Sequence, residues 1–405
     1  MKGAVHHLPP KPPEERASQR LADDSKGRLL SSAIRMERYR EAKSARSTSR
    51  GLSLLAPPPP RLEPMKIFEM TRRLVDVESI SYNEGAVGEL IFELLSELAG
   101  RTNGRVERMQ VAEKRFNVLA CWGEPVVTLS THMDTVPPFF ASREDDEFIY
   151  GRGATDAKGI IASMFAAGES LAIGGVRNFA LLFVVGEEKD SAGAKVAAAS
   201  PRGSQYVING EPTENRLALG SKGILRYDVI ARGKMAHSAY PELGESAIEH
   251  MIDVLQDIRR IPLPHDPVLG PGTVNIGTIS GGRAPNVIPD YARAEILFRI
   301  VGPADSIRDA ITRAVAGRAE IKEVLHIPAI RLGGLDGFAT TVVAYTTDVP
   351  ILAESWGQPF LLGPGTIHVA HSPDERVAKR ELVEAAEIYA RLVKQLLSAD
   401  GGGAD

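Results

Sequence analysis

From residue 65 onward, stretches with a helical spacing of apolar residues alternate with short apolar runs typical of strands. Apolar positions recur every three or four residues, or small residues accumulate, in predicted helices at 65–77, 84–99, 158–173 and 379–398. The predicted strands of this part lie at 116–121, 126–131, 179–185 and 205–208. Because strands separated by helices are typical of a covered parallel sheet, we predict an α/β fold with a largely parallel sheet flanked by helices.

A second pattern interrupts the first one between residues 223 and 332. It predicts the order strand, helix, strand, strand, helix, over 223–231, 244–260, 273–279, 290–300 and 303–317. Two helices on one side of an antiparallel sheet satisfy this order. The strand pattern then resumes in ILAESW and PFLLG. We therefore predict a first domain in two parts, 65–222 and 333–400, with an α+β domain, 223–332, inserted between them.

The first 64 residues differ in composition from the rest of the chain. They hold 13 Lys+Arg against 7 Asp+Glu, and the proline clusters LPPKPP and APPPPRLEP bracket a middle rich in Arg and Ser. Such a segment cannot bury enough apolar surface to fold alone. We predict that residues 1–64 and the glycine-rich end, 401–405, are disordered. No apolar stretch typical of a signal peptide follows the first methionine.

Composition excludes several classes of function. The chain has 405 residues, enough for two domains, and its net charge of −4 gives no general attraction to nucleic acid or to anionic membranes. The one cysteine, Cys121, cannot form an intramolecular disulfide. No stretch approaches the roughly 20 apolar residues of a membrane-spanning helix. We expect a soluble, cytoplasmic protein that binds neither nucleic acid nor membrane.

Residues capable of binding a metal follow several of the predicted strands. The run VVTLSTHMDTVPP contains His132 and Asp134, whose side chains lie on the same side of an extended segment. FALLFVVGEE ends in Glu187 and Glu188, which point to opposite sides and can therefore have different roles, and QYVINGE ends in Glu211. Because ligands bind at the carboxyl ends of parallel strands, these residues are candidates for one site.

Two loops add further candidates. YGRGATDAKG delivers Asp156 just before a helix, but it lacks the third glycine of a dinucleotide fingerprint and the GK[ST] ending of a phosphate loop. FLLGPGTIHVAHSPDE carries His368 and His371, which the residues alone do not separate. Each signal alone has a simpler explanation, such as a helix cap at Asp156 or a solvated glutamate pair. Together, two His and three or four carboxylates suit two divalent ions, zinc by preference, that activate a water.

These motifs, in this order, resemble the M20 family of metallopeptidases and amidohydrolases over about residues 65–400. HMDTVP, GRGATDAKG, GEE, GEPT and GPG…AHSPDE recur around an inserted domain. Within the family, GEPT, GGRAPNVIPD and LLGPGTIHVAHSPDE are similar to the acetylornithine deacetylase and succinyl-diaminopimelate desuccinylase branch, and to acetylornithine deacetylases in particular. The resemblance implies a zinc-hydrolase-type catalytic domain, an inserted lid and dimerisation domain, and a homodimer formed through that domain.

The resemblance also implies a metal-binding role for five residues. Two Zn²⁺ ions per subunit would be bound, one by His132 and Glu211 and the other by Glu188 and His371, with Asp156 bridging them. Co²⁺ is the expected substitute.

Further roles are implied around the metal ligands. Asp134 would orient the imidazole of His132, and Glu187 would be the general base. His237, in the inserted domain, would stabilise the oxyanion in the site of the partner subunit. The residues expected to contact substrate are Arg299, which lies on the polar face of YARAEILFRI and would bind a substrate carboxylate, Asn286 and Gly365.

We therefore predict a two-zinc amidohydrolase that removes an acyl group, above all acetyl, from an amino acid such as N-acetylornithine, as in arginine biosynthesis. The alternatives within hydrolases are a succinyl-diaminopimelate desuccinylase and an M20 dipeptidase or carboxypeptidase. From another class, the alternative is a catalytically silent relative that binds metal or peptide.

Overall fold

The computed structural model describes residues 64–400, in which helices and strands alternate. The helices are α1 (Pro64–Val75), α2 (Gly85–Thr102), α3 (Lys158–Ile173), α4 (Ala192–Ala199), α5 (Ala247–Arg259), α6 (Asp305–Val315), α7 (Val349–Leu352) and α8 (Lys379–Asp400), with a 3₁₀ turn at Pro241–Leu243. The first strands are β1 (Arg105–Ala112), β2 (Arg115–Trp122), β3 (Val127–His132), β4 (Arg143–Glu144), β5 (Phe148–Tyr150), β6 (Phe179–Val184), β7 (Tyr206–Asn209), β8 (Leu217–Ser221), β9 (Gly223–Arg232) and β10 (Ala236–His237). They are followed by β11 (His265–Asp266), β12 (Gly270–Pro271), β13 (Thr273–Gly281), β14 (Val287–Ile288), β15 (Tyr291–Ile300), β16 (Glu320–Ile327), β17 (Ile330–Arg331), β18 (Thr340–Val343), β19 (Gln358–Leu361) and β20 (Arg376–Ala378).

The central sheet has six strands in the order β1-β2-β6-β3-β7-β19. β3 pairs in parallel with β6 and β7, and β19 pairs in parallel with β7. β1 and β2 are antiparallel additions beside β6. The predicted α/β fold with a largely parallel sheet is thus confirmed. Every residue of β3 and β6 is buried. β6 is accordingly apolar throughout, whereas β3 also buries Thr128, Ser130 and Thr131.

Helices cover both faces of this sheet. On one face, Gly168 of α3 approaches Leu181 of β6 so closely that a Cβ atom would lie 2.8 Å from the leucine side chain. Leu182, the next residue, packs on the other face with Ala194 of α4 and with Trp356. Because successive strand residues point to opposite faces, β6 is buried between two layers of helices.

Residues 223–327 contain a separate antiparallel sheet of four strands, in the order β13-β15-β9-β16. α5 and α6 pack on one face of it. The buried residues of β15 on that face alternate along the strand and are Ala292, Ala294, Ile296, Phe298 and Ile300. The predicted antiparallel sheet with two helices is confirmed. The predicted domain boundaries at residues 223 and 332 stay a prediction.

Some local elements of the structure differ from the pattern's predictions. β1 and β16 were not predicted, because both are edge strands whose residues are mainly polar or exposed. The run ILAESW was expected to be a strand, which is wrong. Residues Val349–Leu352 form α7, and the chain then turns so that the indole Nε1 of Trp356 donates to the carbonyl of Ala197 at 2.9 Å.

Two further expectations concern the ends of the chain and the membrane. The segments predicted to be disordered, 1–64 and 401–405, lie outside the described residues, except for Pro64 at the start of α1. Within residues 64–400, no helix has the length and apolar character needed to cross a membrane.

The parallel strands bring distant parts of the sequence to one edge of the central sheet. β3, β6 and β7 run in the same direction and end at His132, Val184 and Asn209. The chain segments that follow these strands therefore meet above the same edge. These strand ends and segments carry His132, Glu188 and Glu211, three of the five predicted metal ligands.

Candidate metal centre

His132 is the last residue of β3 and is buried at the edge of the sheet. Its Nδ1 lies 3.1 Å from the main-chain oxygen of Asp134 and 3.5 Å from the carboxylate of the same residue. Its Nε2 lies 2.9 Å from Oδ1 of Asp156. Acceptors at Nδ1 favour the tautomer with the proton on that atom, which leaves Nε2 free to bind a metal. The main-chain oxygen of Asp134 is the nearer of the two acceptors.

Asp156 lies between two imidazoles. Its Oδ1 faces Nε2 of His132 at 2.9 Å, and its Oδ2 faces Nε2 of His371 at 3.4 Å. Burial acts to raise the pKa of Asp156, but its hydrogen bonds to the two rings lower this pKa below its usual range. A carboxylate whose two oxygens face different histidines has the arrangement needed to bridge two cations.

Glu188 completes the most compact group of donors. Its Oε1 lies 2.9 Å from Nε2 of His371. His132, Asp156 and Glu188 each offer one ligand atom, and these three atoms lie within 4.8 Å of one another. Two ligands that each lie about 2.1 Å from one ion are at most about 4.2 Å apart. The individual contacts of 2.9 and 3.4 Å fall within that limit.

Two further glutamates lie beside this group. Glu211 is buried, and its Oε1 accepts a hydrogen bond from Nδ2 of Asn209 at 3.3 Å. Desolvation raises the pKa of Glu187 and of Glu211 well above the usual range. The nearby charge of Glu211 raises the pKa of Glu187 further, and the charge of Asp156 does the same for Glu211. Carboxylates in this environment are stabilised as anions by divalent cations. The donor set of two imidazoles and four carboxylates therefore fits metal ions.

The buried carboxylate of Asp134 holds the loop that carries Glu187 and Glu188. Its Oδ1 accepts the backbone N–H groups of Gly186 and Glu187 at 3.0 and 3.1 Å, and its Oδ2 accepts that of Glu188 at 3.2 Å. The hydroxyl of Ser81 donates to Oδ2 at 2.7 Å. Besides facing an imidazole, Asp134 thus fixes the main chain of this loop. The sequence pattern contains no signal for this contact, because its donors are mostly backbone amides.

The loop after β19 contains the two histidines that the sequence could not separate. His371 reaches Glu188 and Asp156, whereas the backbone N–H of His368 donates to Thr366 and its side chain is exposed. His371 adopts a left-handed backbone conformation, with φ of 61°. The structure therefore brings His371 to the cluster.

Gly365 lies in the same loop, where a side chain has no room. Its φ is +83°, and a Cβ atom there would lie 1.7 Å from Oγ1 of Thr155, the neighbour of Asp156. Glycine is therefore required for the two loops to pack together. The substrate contact expected of Gly365 stays a prediction.

Two residues expected near the reaction, His237 and Asn286, lie together in residues 223–327. β10 pairs with β14, which places His237 opposite Val287, and the backbone N–H of Ser238 donates to the carbonyl of Asn286 at 3.0 Å. His237 is exposed, and its ring lies edge-on to Tyr240 with centroids 6.3 Å apart. These contacts do not reach the metal-binding cluster. The oxyanion and substrate roles stay predictions.

Arg299 lies on the face of the four-stranded sheet opposite the helices. Within residues 64–400, its buried Nη1 has no hydrogen-bond partner, and burial lowers the pKa of the guanidinium. Arg293 on the same face is, by contrast, bound by Asp228 at 2.8 Å and by Glu295 at 3.0 Å. A guanidinium with an unsatisfied N–H suits a carboxylate ligand.

Two charged residues beside the cluster were not predicted. Arg152 and Glu375 form an ion pair in which both side chains are almost fully buried. Arg152 lies inside the motif GRGATDAKG and Glu375 inside AHSPDE. Membership of these motifs is the only feature of the sequence that could have indicated a role for them. Their polar character alone indicates only a surface position.

The sequence matches a known family of peptidases. The family described as Peptidase family M20/M25/M40 matches residues 128–395, which is more than half of the sequence. The chain belongs to this peptidase family. A peptidase M20 domain-containing protein of Schizosaccharomyces pombe is 38% identical over 339 residues, covering 81% of this chain and 84% of the relative. A probable carboxypeptidase of Aspergillus niger is 36% identical over 397 residues, covering 87% and 94% respectively.

Solved structures agree on the M20 fold. A tripeptidase from Staphylococcus aureus superimposes with a TM-score of 0.70 at 20% identity, over 83% of this chain and 99% of that chain. A dinuclear metal binding M20 peptidase from Bacillus subtilis gives a TM-score of 0.62 at 18% identity, over 83% and 98%. The protein is thus an M20 metallohydrolase of amide bonds. The family prediction is confirmed, whereas the narrower placement in the acetylornithine deacetylase branch is not supported by the names of the relatives.

The contacts of Asp134 lead to a first prediction. In Asp134→Asn, an NH₂ group replaces one carboxylate oxygen, so at least one backbone N–H of residues 186–188 faces another donor. We expect the loop to shift and the folded protein to retain less metal after dialysis, measured by inductively coupled plasma mass spectrometry. Ser81→Ala is the control, since it removes one hydrogen bond, worth about 1 kcal/mol, and should keep most of the metal. Equal metal content in Asp134→Asn and wild type would contradict this role.

Proposed function

We propose that the protein is a two-cation M20 peptidase that removes the carboxyl-terminal residue from small peptides. The observation that carries the proposal is the position of Asp156, whose two oxygens face His132 and His371. The unsatisfied N–H of Arg299 supports recognition of a free carboxylate. The curated relative named a probable carboxypeptidase supports the same reaction. The sequence analysis gave carboxypeptidase activity as an alternative and deacetylation of an N-acyl amino acid as its main prediction.

We propose a place for each metal ligand. One cation would be bound by His132 and Glu211, the other by Glu188 and His371, and Asp156 would bind both. Imidazole and carboxylate donors favour Zn²⁺, and Co²⁺ is the proposed substitute. When bound, the cations would supply Lewis acidity to the amide carbonyl and lower the pKa of a water.

Glu187 is the group proposed to move the proton. It is partly exposed, follows Gly186 in the loop fixed by Asp134, and has a pKa raised by desolvation and by Glu211. A carboxylate with a raised pKa can take a proton from water and return it to the leaving amine. Glu188, its neighbour, contacts His371 and is proposed to be a ligand only.

The protein is proposed to act as a homodimer, through β13 at the edge of the four-stranded sheet. Ile279 of β13 is 57% exposed and Ile252 of α5 is 41% exposed. An edge strand with exposed apolar side chains is a surface suited to pairing with a second copy. His237 is exposed and is proposed to reach the partner's metal centre, where it would stabilise the oxyanion.

A second candidate is removal of an acyl group from an N-acyl amino acid such as N-acetylornithine. The motifs GEPT, GGRAPNVIPD and LLGPGTIHVAHSPDE favour it. Such a substrate has the same scissile amide and the same free carboxylate, so it would use the same residues. The two candidates differ only in what lies on the acyl side of the bond.

A substrate panel separates the two candidates. We expect the Zn²⁺-loaded enzyme to cleave dipeptides and tripeptides with a free carboxyl terminus at a higher kcat/KM than N-acetylornithine, N-acetyllysine or N-succinyl-diaminopimelate. Peptides amidated at the carboxyl terminus are the control, since they lack the group proposed to bind Arg299, and they should be poor substrates. A preference for N-acetylornithine would establish the second candidate, and no hydrolysis by the metal-loaded protein would contradict both.

The adjacent glutamates should behave differently when they are replaced. Glu187→Gln should keep two cations per chain and lose activity by about 10² to 10⁴ in kcat, because general base catalysis typically contributes that much. Glu188→Gln should bind less metal, because it removes a ligand charge. Metal content and kcat are to be measured on the same preparations. Full metal and similar activity in both variants would contradict the division of roles.

Mixing two inactive variants tests the role of His237 across the dimer. His237→Ala and Glu187→Gln should each be nearly inactive, but a mixed dimer would contain one site with both groups intact. Co-refolding should restore up to about a quarter of wild-type activity if chains pair randomly. Each variant refolded alone is the control. No recovery, with subunit exchange shown by differently tagged chains, would place His237 in its own subunit's site or outside catalysis.

A further inference from the structure

A buried carboxylate from a distant part of the chain holds the backbone around Asp156. Oε1 of Glu375 accepts the N–H groups of Gly153, Thr155 and Asp156 at 2.9, 3.3 and 3.2 Å. The other oxygen of Glu375 binds the guanidinium of Arg152. Glu375 thus binds the segment that carries the bridging carboxylate at four points.

Glu375 lies four residues after His371 in the same loop. This loop therefore contacts Asp156 twice. Nε2 of His371 lies 3.4 Å from the Asp156 side chain, and the carboxylate of Glu375 accepts the Asp156 backbone N–H at 3.2 Å. One short segment of chain consequently sets where the Asp156 oxygens lie relative to His371.

The contact is anchored by backbone pairing on both sides. β20, which follows Glu375, pairs antiparallel with β5, which precedes the Asp156 segment. The N–H of Gly151 donates to the main-chain oxygen of Glu375 at 3.1 Å and continues this pairing. Glu375 is 1% exposed. Its carboxylate therefore has little freedom to take another position.

Burial of the Arg152 and Glu375 pair argues for a role beyond general stability. Buried ion pairs are often replaceable by apolar residues without loss of stability, because desolvation offsets their attraction. An apolar pair would, however, leave the N–H groups of residues 153, 155 and 156 without their acceptor. Only an acceptor with two oxygens satisfies these groups and Arg152 together.

We propose that Glu375, held by Arg152, is a positioning residue that fixes the Asp156 backbone so that the Asp156 side chain can bridge two cations. The inference rests on the proposed two-cation centre but not on the identity of the substrate. Replacing a residue that supports a metal ligand in this way typically weakens metal binding by about 10- to 100-fold. We expect that range for the weaker of the two cations.

The test is cobalt binding by Glu375→Gln. The glutamine oxygen can face either the three N–H groups or Arg152, but not both. Co²⁺ titrations, followed by visible absorption and by calorimetry on metal-free folded protein, should show the second cation bound at least about 10-fold more weakly than in wild type, with a changed absorption band. Kinetics should show a lower kcat with a smaller change in KM.

Two further variants separate positioning from stability. Arg152→Gln combined with Glu375→Gln restores an uncharged pair in which one oxygen can face the N–H groups, and it should recover part of the cobalt affinity. This double variant also tests the inference if Glu375→Gln does not fold. Glu323→Gln is the matched control, since Glu323 is bound by Arg308 and Tyr227 in the four-stranded sheet, and it should bind cobalt like wild type.

The outcomes are distinguishable. Wild-type protein that binds fewer than two cations would contradict the proposed two-cation function itself. If the wild type binds two cations and folded Glu375→Gln has the same cobalt affinity and spectrum, the positioning role is overturned. The proposed two-cation function would then remain intact. A lower melting temperature of Glu375→Gln without any change in cobalt affinity would likewise show a purely structural pair.

Discussion

Repulsion among carboxylates at one edge of the central sheet is the constraint on which the rest of the structure depends. Asp156, Glu187, Glu188 and Glu211 lie close enough for their charges to affect one another, and desolvation raises the pKa of Glu187 and Glu211. Such a cluster is unfavourable unless positive charge and N–H donors compensate for it. The parallel strands bring the carboxylates together, and the imidazoles of His132 and His371 provide partners for them.

The chain uses two additional buried carboxylates as anchors for the loops rather than as ligands. Asp134 accepts the N–H groups of residues 186–188, and Glu375 accepts those of residues 153, 155 and 156. Each anchor comes from a segment that also carries a histidine of the centre. Burial acts to raise the pKa of both carboxyl groups. At Asp134 the hydrogen bonds to His132 and Ser81 outweigh burial and lower the pKa, whereas the pKa of Glu375 is raised to about 7. The ligand loops are consequently tied to the ligand histidines through their backbones.

Sequence patterns predicted the helices and strands that are specified by their own residues. β2, β3, β6 and β7 were predicted within one residue at each end. β6 is buried on both faces and is a continuous apolar run, which made it the clearest of them. Edge strands β1 and β16 were missed, since pairing with a neighbour rather than their own composition stabilises them. His132, Glu188 and Glu211 could be predicted as ligands because each lies at or just after the end of a buried strand. The anchoring contacts could not be predicted, because their partners are backbone amides 52 to 222 residues away.

The backbone of His371 has a consequence for how the centre responds to its cations. A left-handed conformation at a residue with a Cβ atom costs about 1–2 kcal/mol, and the contacts of the imidazole must offset that cost. Cation binding and the ordered state of this loop are then thermodynamically linked, since anything that binds only the ordered form stabilises it. Loss of the cations would therefore loosen the chain around His371, whereas Glu375 would stay fixed by Arg152 and by the pairing of β20 with β5. The order of the His371 backbone would then depend on the centre that this residue helps to complete.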